Sequence, residues 1–185
     1  MSKRSRKEAE TLAAKAKPET KVEAPVAPVE EQPKRKRLLL IISKGTLDML
    51  YPPLILANTA AAMDMDVDLY FTFWGLDLLN KKKDYSAKLS PVGNPALGMP
   101  NILGVIPGMT DMATSMMMKR IKKYWPTIKE MMKQAKEAGV KIHACSPTMG
   151  LMNMKKEDLI PEVDDIIGAS TYLDMAIDAD VTLFI

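Results

Sequence analysis

The hydrophobic pattern begins abruptly at Leu38-Leu39-Leu40-Ile41-Ile42, an unbroken apolar run of strand length. A run apolar at every position, rather than at alternate ones, predicts a strand buried on both faces, as in a parallel sheet. After the turn Ser43-Lys44-Gly45-Thr46, apolar residues at helical spacing predict a helix over about 49–63, with Pro52 and Pro53 near its first turn. Val67-Asp68-Leu69-Tyr70-Phe71-Thr72-Phe73 is rich in β-branched and aromatic types and predicts a second strand, followed by a short helix over 76–82. A long helical region over 111–138 breaks before Pro126, and Gly139 stands where a helix C-cap is expected. Its second half places Ile128, Met131, Met132 and Ala135 on one stripe. Residues 140–144 form the next strand. Ser146 then serves as N-cap and Pro147 as first helical residue of a helix over 148–154. A helix over about 171–178, capped by Ser170, and a strand over 181–185 close the chain. Strands alternating with helices predict a three-layer α/β/α sandwich with a mainly parallel sheet.

Two stretches stand outside this alternation. Residues 1–37 hold four prolines and almost no large apolar side chains, so they cannot bury enough surface to offset their ordering entropy. They read as a disordered basic tail with a transient helix over 5–17, leaving 38–185 as the folded domain. The segment 84–110 carries repeated Gly and Pro yet remains apolar, with Leu97, Met99, Ile102, Leu103, Val105 and Ile106. It packs over the sheet edge or forms a Met-rich functional cover, and the pattern leaves both open.

Charge and composition change the picture mainly by exclusion. The net charge of +3 is uneven: residues 1–37 carry 11 Lys/Arg against 6 Asp/Glu, and the remaining chain 15 against 17. The basic excess therefore lies in the tail, which argues against a nucleic-acid-binding fold. Lys34-Arg35-Lys36-Arg37 reads as a solvated flank of the first strand, and docking of the tail to a membrane surface is the less favoured alternative. No apolar run reaches the roughly 18–20 residues of a membrane span, and no apolar h-region follows the basic start. The 43–46 turn lacks the spaced glycines of a nucleotide site. The methionines at helical spacing read as packing, so no metal or cofactor is expected.

The candidate chemistry lies at Lys141-Ile142-His143-Ala144-Cys145-Ser146-Pro147-Thr148, which holds the only histidine and the only cysteine of 185 residues. A single cysteine rules out an intramolecular disulfide and fits a reducing cytoplasm. Cys145 ends a strand where a helix starts, and the positive helix end lowers a thiol pKa there. Strand alternation sends His143 to the same face, making it a candidate base, although no local carboxylate is spaced to orient the ring. Thr148 either hydrogen-bonds near the sulfur or only supports the helix start. One thiolate with no resolving partner suits intermolecular exchange of a persulfide. The Pro-Thr-Cys motif and arginine of peroxidase sites are missing.

Several stretches carry a family resemblance: Ser43-Lys44-Gly45-Thr46, Tyr70-Phe71-Thr72-Phe73-Trp74-Gly75-Leu76, Pro107-Gly108-Met109, Cys145-x-x-Thr148-Met149, Gly168-Ala169-Ser170-Thr171-Tyr172-Leu173 and Ala179-Asp180-Val181-Thr182-Leu183-Phe184-Ile185. With these, 38–185 resembles the DsrE/DsrF-like family, especially its longer branch often labelled peroxiredoxin-like. The resemblance implies a flavodoxin-like architecture and a cytoplasmic sulfur carrier or sulfurtransferase. It implies that Cys145 holds sulfur as a persulfide or thiosulfonate, that TusA-like carriers are partners and that the chain forms homo- or hetero-oligomers. The second cysteine of some relatives is absent. The alternative readings are a non-catalytic assembly or membrane-associated partner protein of a sulfur-metabolism complex and, less favoured, a thiol peroxidase.

Overall fold

The first apolar run forms β1 (Arg37–Ile42), the second strand of a five-stranded sheet counted from one edge. The structure, a computed structural model, describes residues 34–92 and 105–185, which belong to one compact unit, Lys34–Ile185. The expected helix over 5–17 and the apolar centre of the 84–110 segment lie outside the described residues. β1 is followed by α1 (Leu47–Ala62), β2 (Asp66–Phe71), a 3-10 segment (Phe73–Leu79), α2 (Met109–Tyr124) and α3 (Ile128–Glu137). Then come β3 (Lys141–Cys145), α4 (Ser146–Leu151), β4 (Asp165–Ile167), α5 (Ala169–Ile177) and β5 (Val181–Phe184). The strand order is β4-β3-β2-β1-β5 and every pairing is parallel.

The side chains of β1, β2 and β3 alternate between two covered faces. Leu38, Leu40, Ile42, Val67, Leu69, Phe71, Ile142 and Ala144 belong to the main core, packed with residues of α1, α2 and α3. The opposite face carries Leu39, Tyr70 and Cys145, gathered under Tyr172 of α5. One face is thus thickly covered and the other thinly, and the cysteine lies on the thin side. The three-layer α/β sandwich expected from the sequence is the fold observed.

Several boundaries differ for local reasons. α1 starts at Leu47, so Pro52 and Pro53 fall in its second turn rather than its first. β2 ends at Phe71 because Phe73 adopts a left-handed backbone and starts the 3-10 segment. The long helical region splits into α2 and α3 around Trp125 and Pro126, and α3 opens with a Thr127–Glu130 capping box. Gly139 has φ +88°, as a glycine after a helix end often does. The N-cap of α4 is Cys145, with Ser146 already helical, and the N-cap of α5 is Gly168 rather than Ser170. Arg37, assigned by charge to the tail, is the first residue of β1.

Candidate functional site

Cys145 is the last residue of β3 and only 5 % exposed. Ser146 and Pro147 open the first turn of α4, leaving the thiol at the position normally filled by a capping oxygen. Thr148, one turn into α4, donates its hydroxyl to Cys145 Sγ at 3.2 Å. Thr148 Oγ1 also accepts the backbone N–H of Phe73 at 3.3 Å and lies 3.0 Å from Thr72 Oγ1. Between them the Thr72 and Thr148 hydroxyls have two protons, shared over their mutual contact and the sulfur.

Burial by itself would raise the Cys145 pKa. Hydrogen bonds from the Thr148, Thr72 and Tyr70 hydroxyls and the Thr148 backbone N–H outweigh it and hold the thiol below its ordinary value. The helix-end effect expected from the sequence thus enters as one backbone N–H of a six-residue helix, and side-chain hydroxyls supply the rest. Tyr70 is pushed well above the ordinary tyrosine range, first by burial and then by Cys145, so its hydroxyl stays protonated and donates. Its ring stacks on Tyr172 with centroids 4.9 Å apart, which fixes the hydroxyl beside the sulfur.

Of the three residues singled out from the sequence, the structure brings Cys145 and Thr148 together and turns His143 elsewhere. His143 is buried and donates from Nε2 to Asp68 Oδ1 at 2.8 Å, and Asp68 Oδ2 accepts Arg37 Nε at 2.8 Å. Burial opposes ionisation of Asp68, but the hydrogen bonds from His143 and Arg37 hold its pKa below the usual carboxylate value. No hydrogen bond joins His143 to Cys145 among the described residues. The carboxylate missing from the local spacing comes from β2, and the ring hydrogen-bonds to it rather than to the thiol.

Tyr70 and Thr72 are site residues that sequence reasoning missed. They share a face with Asp68 by strand alternation, but nothing local shows that β2 lies beside β3. The register pairs Tyr70 with His143 and Phe71 with Ala144, which carries Thr72 to the level of Cys145. Among the described residues, no group of three or more His, Cys, Asp or Glu side chains is placed to hold a metal ion. Nor is any helix there long and apolar enough to cross a membrane.

Comparison with known proteins identifies the family and the fold. The chain is 40 % identical over 160 residues to the sulfur carrier protein DsrE2 of Allochromatium vinosum, covering 82 % of this chain and 99 % of that one. It is 30 % identical over 161 residues to the uncharacterized protein YrkE of Bacillus subtilis, covering 81 % and 97 %. Two solved structures share the fold at low identity. MTH1491 of Methanobacterium thermoautotrophicum, a protein of unknown function, matches with TM-score 0.51 and 11 % identity, covering 81 % of this chain and 99 % of that one. The ychN protein of E. coli matches with TM-score 0.50 and 14 % identity, covering 82 % and 100 %. The DsrE/DsrF/DrsH-like family pattern extends over residues 34–184, from the strand-flanking basic cluster to the end of β5, and the chain belongs to that family.

Proposed function

We propose that this protein is a sulfur carrier that holds sulfur on Cys145 as a persulfide or thiosulfonate and exchanges it with partner thiols. The observation that carries the reading is the hydroxyl cradle around a lone thiol, in a chain 40 % identical to a protein named as a sulfur carrier. The Cys145 thiolate attacks the outer sulfur of a donor persulfide, a new S–S bond forms, and the donor's inner sulfur leaves as a thiolate. In the return step a partner thiolate attacks the outer sulfur on Cys145 and expels the Cys145 thiolate. Each step exchanges one S–S bond for another, with no net oxidation and no cofactor. The hydroxyls act in both directions, because they stabilise the same thiolate as nucleophile and as leaving group. Cys145 and Thr148 are the residues that act in this reading, joined by Tyr70 and Thr72. His143 supports the sheet beneath them.

A TusA-like carrier is the proposed partner and the cytoplasm the proposed compartment. Assembly into a homo-oligomer is proposed on the thin face of the sheet, where Phe184 and Ile177 are exposed. The test is intact-mass spectrometry after incubation with polysulfide, thiosulfate or tetrathionate, or with a persulfidated carrier protein. A reducible sulfur adduct that is absent from Cys145→Ala is expected. A wild-type protein that gains no adduct from any of these donors refutes the reading, and rapid peroxide consumption would favour a peroxidase instead.

A further inference from the structure

The turn Thr72-Phe73-Trp74-Gly75 is strained and tightly held. Phe73 has φ +47°, a region that sterics disfavour for any residue with a side chain and most strongly for bulky ones. Its N–H is fixed on Thr148 Oγ1, and the Gly75 N–H bonds Ser43 O at 3.2 Å and Thr72 O at 3.0 Å. A Cβ at Gly75 would lie 2.2 Å from Ile42 O, and one at Gly45 would lie 2.3 Å from Trp74 O. The turn is thus pressed against the end of β1 at two positions where only glycine fits. Strain persists where the surroundings over-determine it, and it gathers at functional sites.

This clamp holds two rings outward. Phe73 is 52 % and Trp74 59 % exposed, edge to face with centroids 6.2 Å apart, while Leu76, Leu78 and Leu79 of the same 3-10 segment are buried. The core therefore makes little use of these rings. They follow Thr72 directly and sit across from Thr148, which touches the sulfur. Leu151, one turn beyond Thr148 on α4, is also exposed. Lys44 stands beside Gly45 at the Trp74 carbonyl, exposed and without a salt bridge among the described residues.

We infer that Phe73 and Trp74 form the docking platform for the thiol-bearing protein that exchanges sulfur with Cys145. The inference rests on the sulfur-carrier reading and adds the surface that selects its partner. A small thiol needs only a path to the sulfur, whereas a rigid aromatic pair gains contact area only against another surface. Because Cys145 is almost fully buried, a partner thiol must be brought to it in register, and rings anchored through Thr148 are fixed relative to the sulfur. The partner face that fits is apolar, with an acidic group opposite Lys44.

The experiment loads Cys145 with persulfide sulfur and follows transfer to glutathione and, separately, to a TusA-like carrier protein. The variant is Phe73→Asn with Trp74→Ser, since asparagine tolerates a left-handed backbone and keeps the turn. Transfer to the carrier is expected to slow by roughly tenfold or more. Transfer to glutathione and the pH profile of Cys145 alkylation should remain as in wild type. Unchanged transfer to the carrier overturns the inference. So does an equal loss toward both acceptors, which would mean that the rings shape the sulfur site itself. So does a change in assembly mass by light scattering, which would make the rings a contact between copies. If wild type delivers sulfur to neither acceptor, the sulfur-carrier reading fails and the inference falls with it.

Discussion

Replacing Thr148 by valine removes one hydroxyl and keeps the shape of the side chain. That hydroxyl gives its proton to Cys145 Sγ over 3.2 Å inside a buried site. A hydrogen bond to a charged group contributes about 1.5–3 kcal/mol. One pKa unit corresponds to about 1.4 kcal/mol, so the Cys145 pKa should rise by roughly one to two units. Below the inflection, each unit cuts the thiolate fraction about tenfold and raises the nucleophilicity of what remains about threefold. Alkylation should therefore slow by roughly 3- to 12-fold at low pH, while the plateau at high pH exceeds that of wild type. Stability moves in the same sense. A thiol held below its unfolded pKa contributes stability above the ordinary thiol range, and that contribution is lost as pH falls through the lowered folded value. Thr148→Val should lose part of this alkaline contribution. The assay is the rate of iodoacetamide reaction against pH, and the single cysteine of the chain gives it one reporting group. An inflection that does not move would refute the reasoning. So would a Thr148→Ser variant that behaves like valine despite keeping the hydroxyl.

Two further outcomes follow from the same geometry. Asp68→Asn removes the carboxylate that Arg37 and His143 share and should lower stability by about 1–3 kcal/mol in urea unfolding at neutral pH. Asp68 is held below its ordinary pKa, so the gap between variant and wild type should shrink as pH falls through that lowered value and the wild-type carboxylate becomes protonated. Gly75→Ala sets a Cβ against Ile42 O, where the backbone has no room to yield. It should lower the melting temperature and, by shifting Thr72 and the Phe73 N–H, raise the Cys145 pKa in the alkylation profile. A wild-type melt and profile would contradict the clamped turn.

Much of the architecture was legible in the chain because it depends on local burial. The uniformly apolar run at 38–42 announced a strand covered on both faces. The stripe of Ile128, Met131, Met132 and Ala135 announced a core helix, and Pro147 after Cys145 announced a strand giving way to a helix. Each signal is written within a few residues, since one side chain's neighbours along a strand or helix are set by backbone period alone. The same period brought out Thr148, one helical turn from Cys145.

What surrounds the sulfur otherwise was decided by packing between distant segments. Tyr70 and Thr72 reach Cys145 because β2 lies beside β3 in a fixed register, across an interval of about seventy residues. The same adjacency gives His143 to Asp68 and removes it from the thiol, reversing the pairing that strand alternation suggested. Arg37, which composition placed in a solvated tail, completes that network from β1. A parallel crossover leaves no mark in either strand that names its neighbour, because backbone hydrogen bonds pair any two strands of suitable length. The sequence by itself settled that a lone thiol stands at the end of a buried strand. Only the sheet order determined that hydroxyls, not an imidazole, hold its charge.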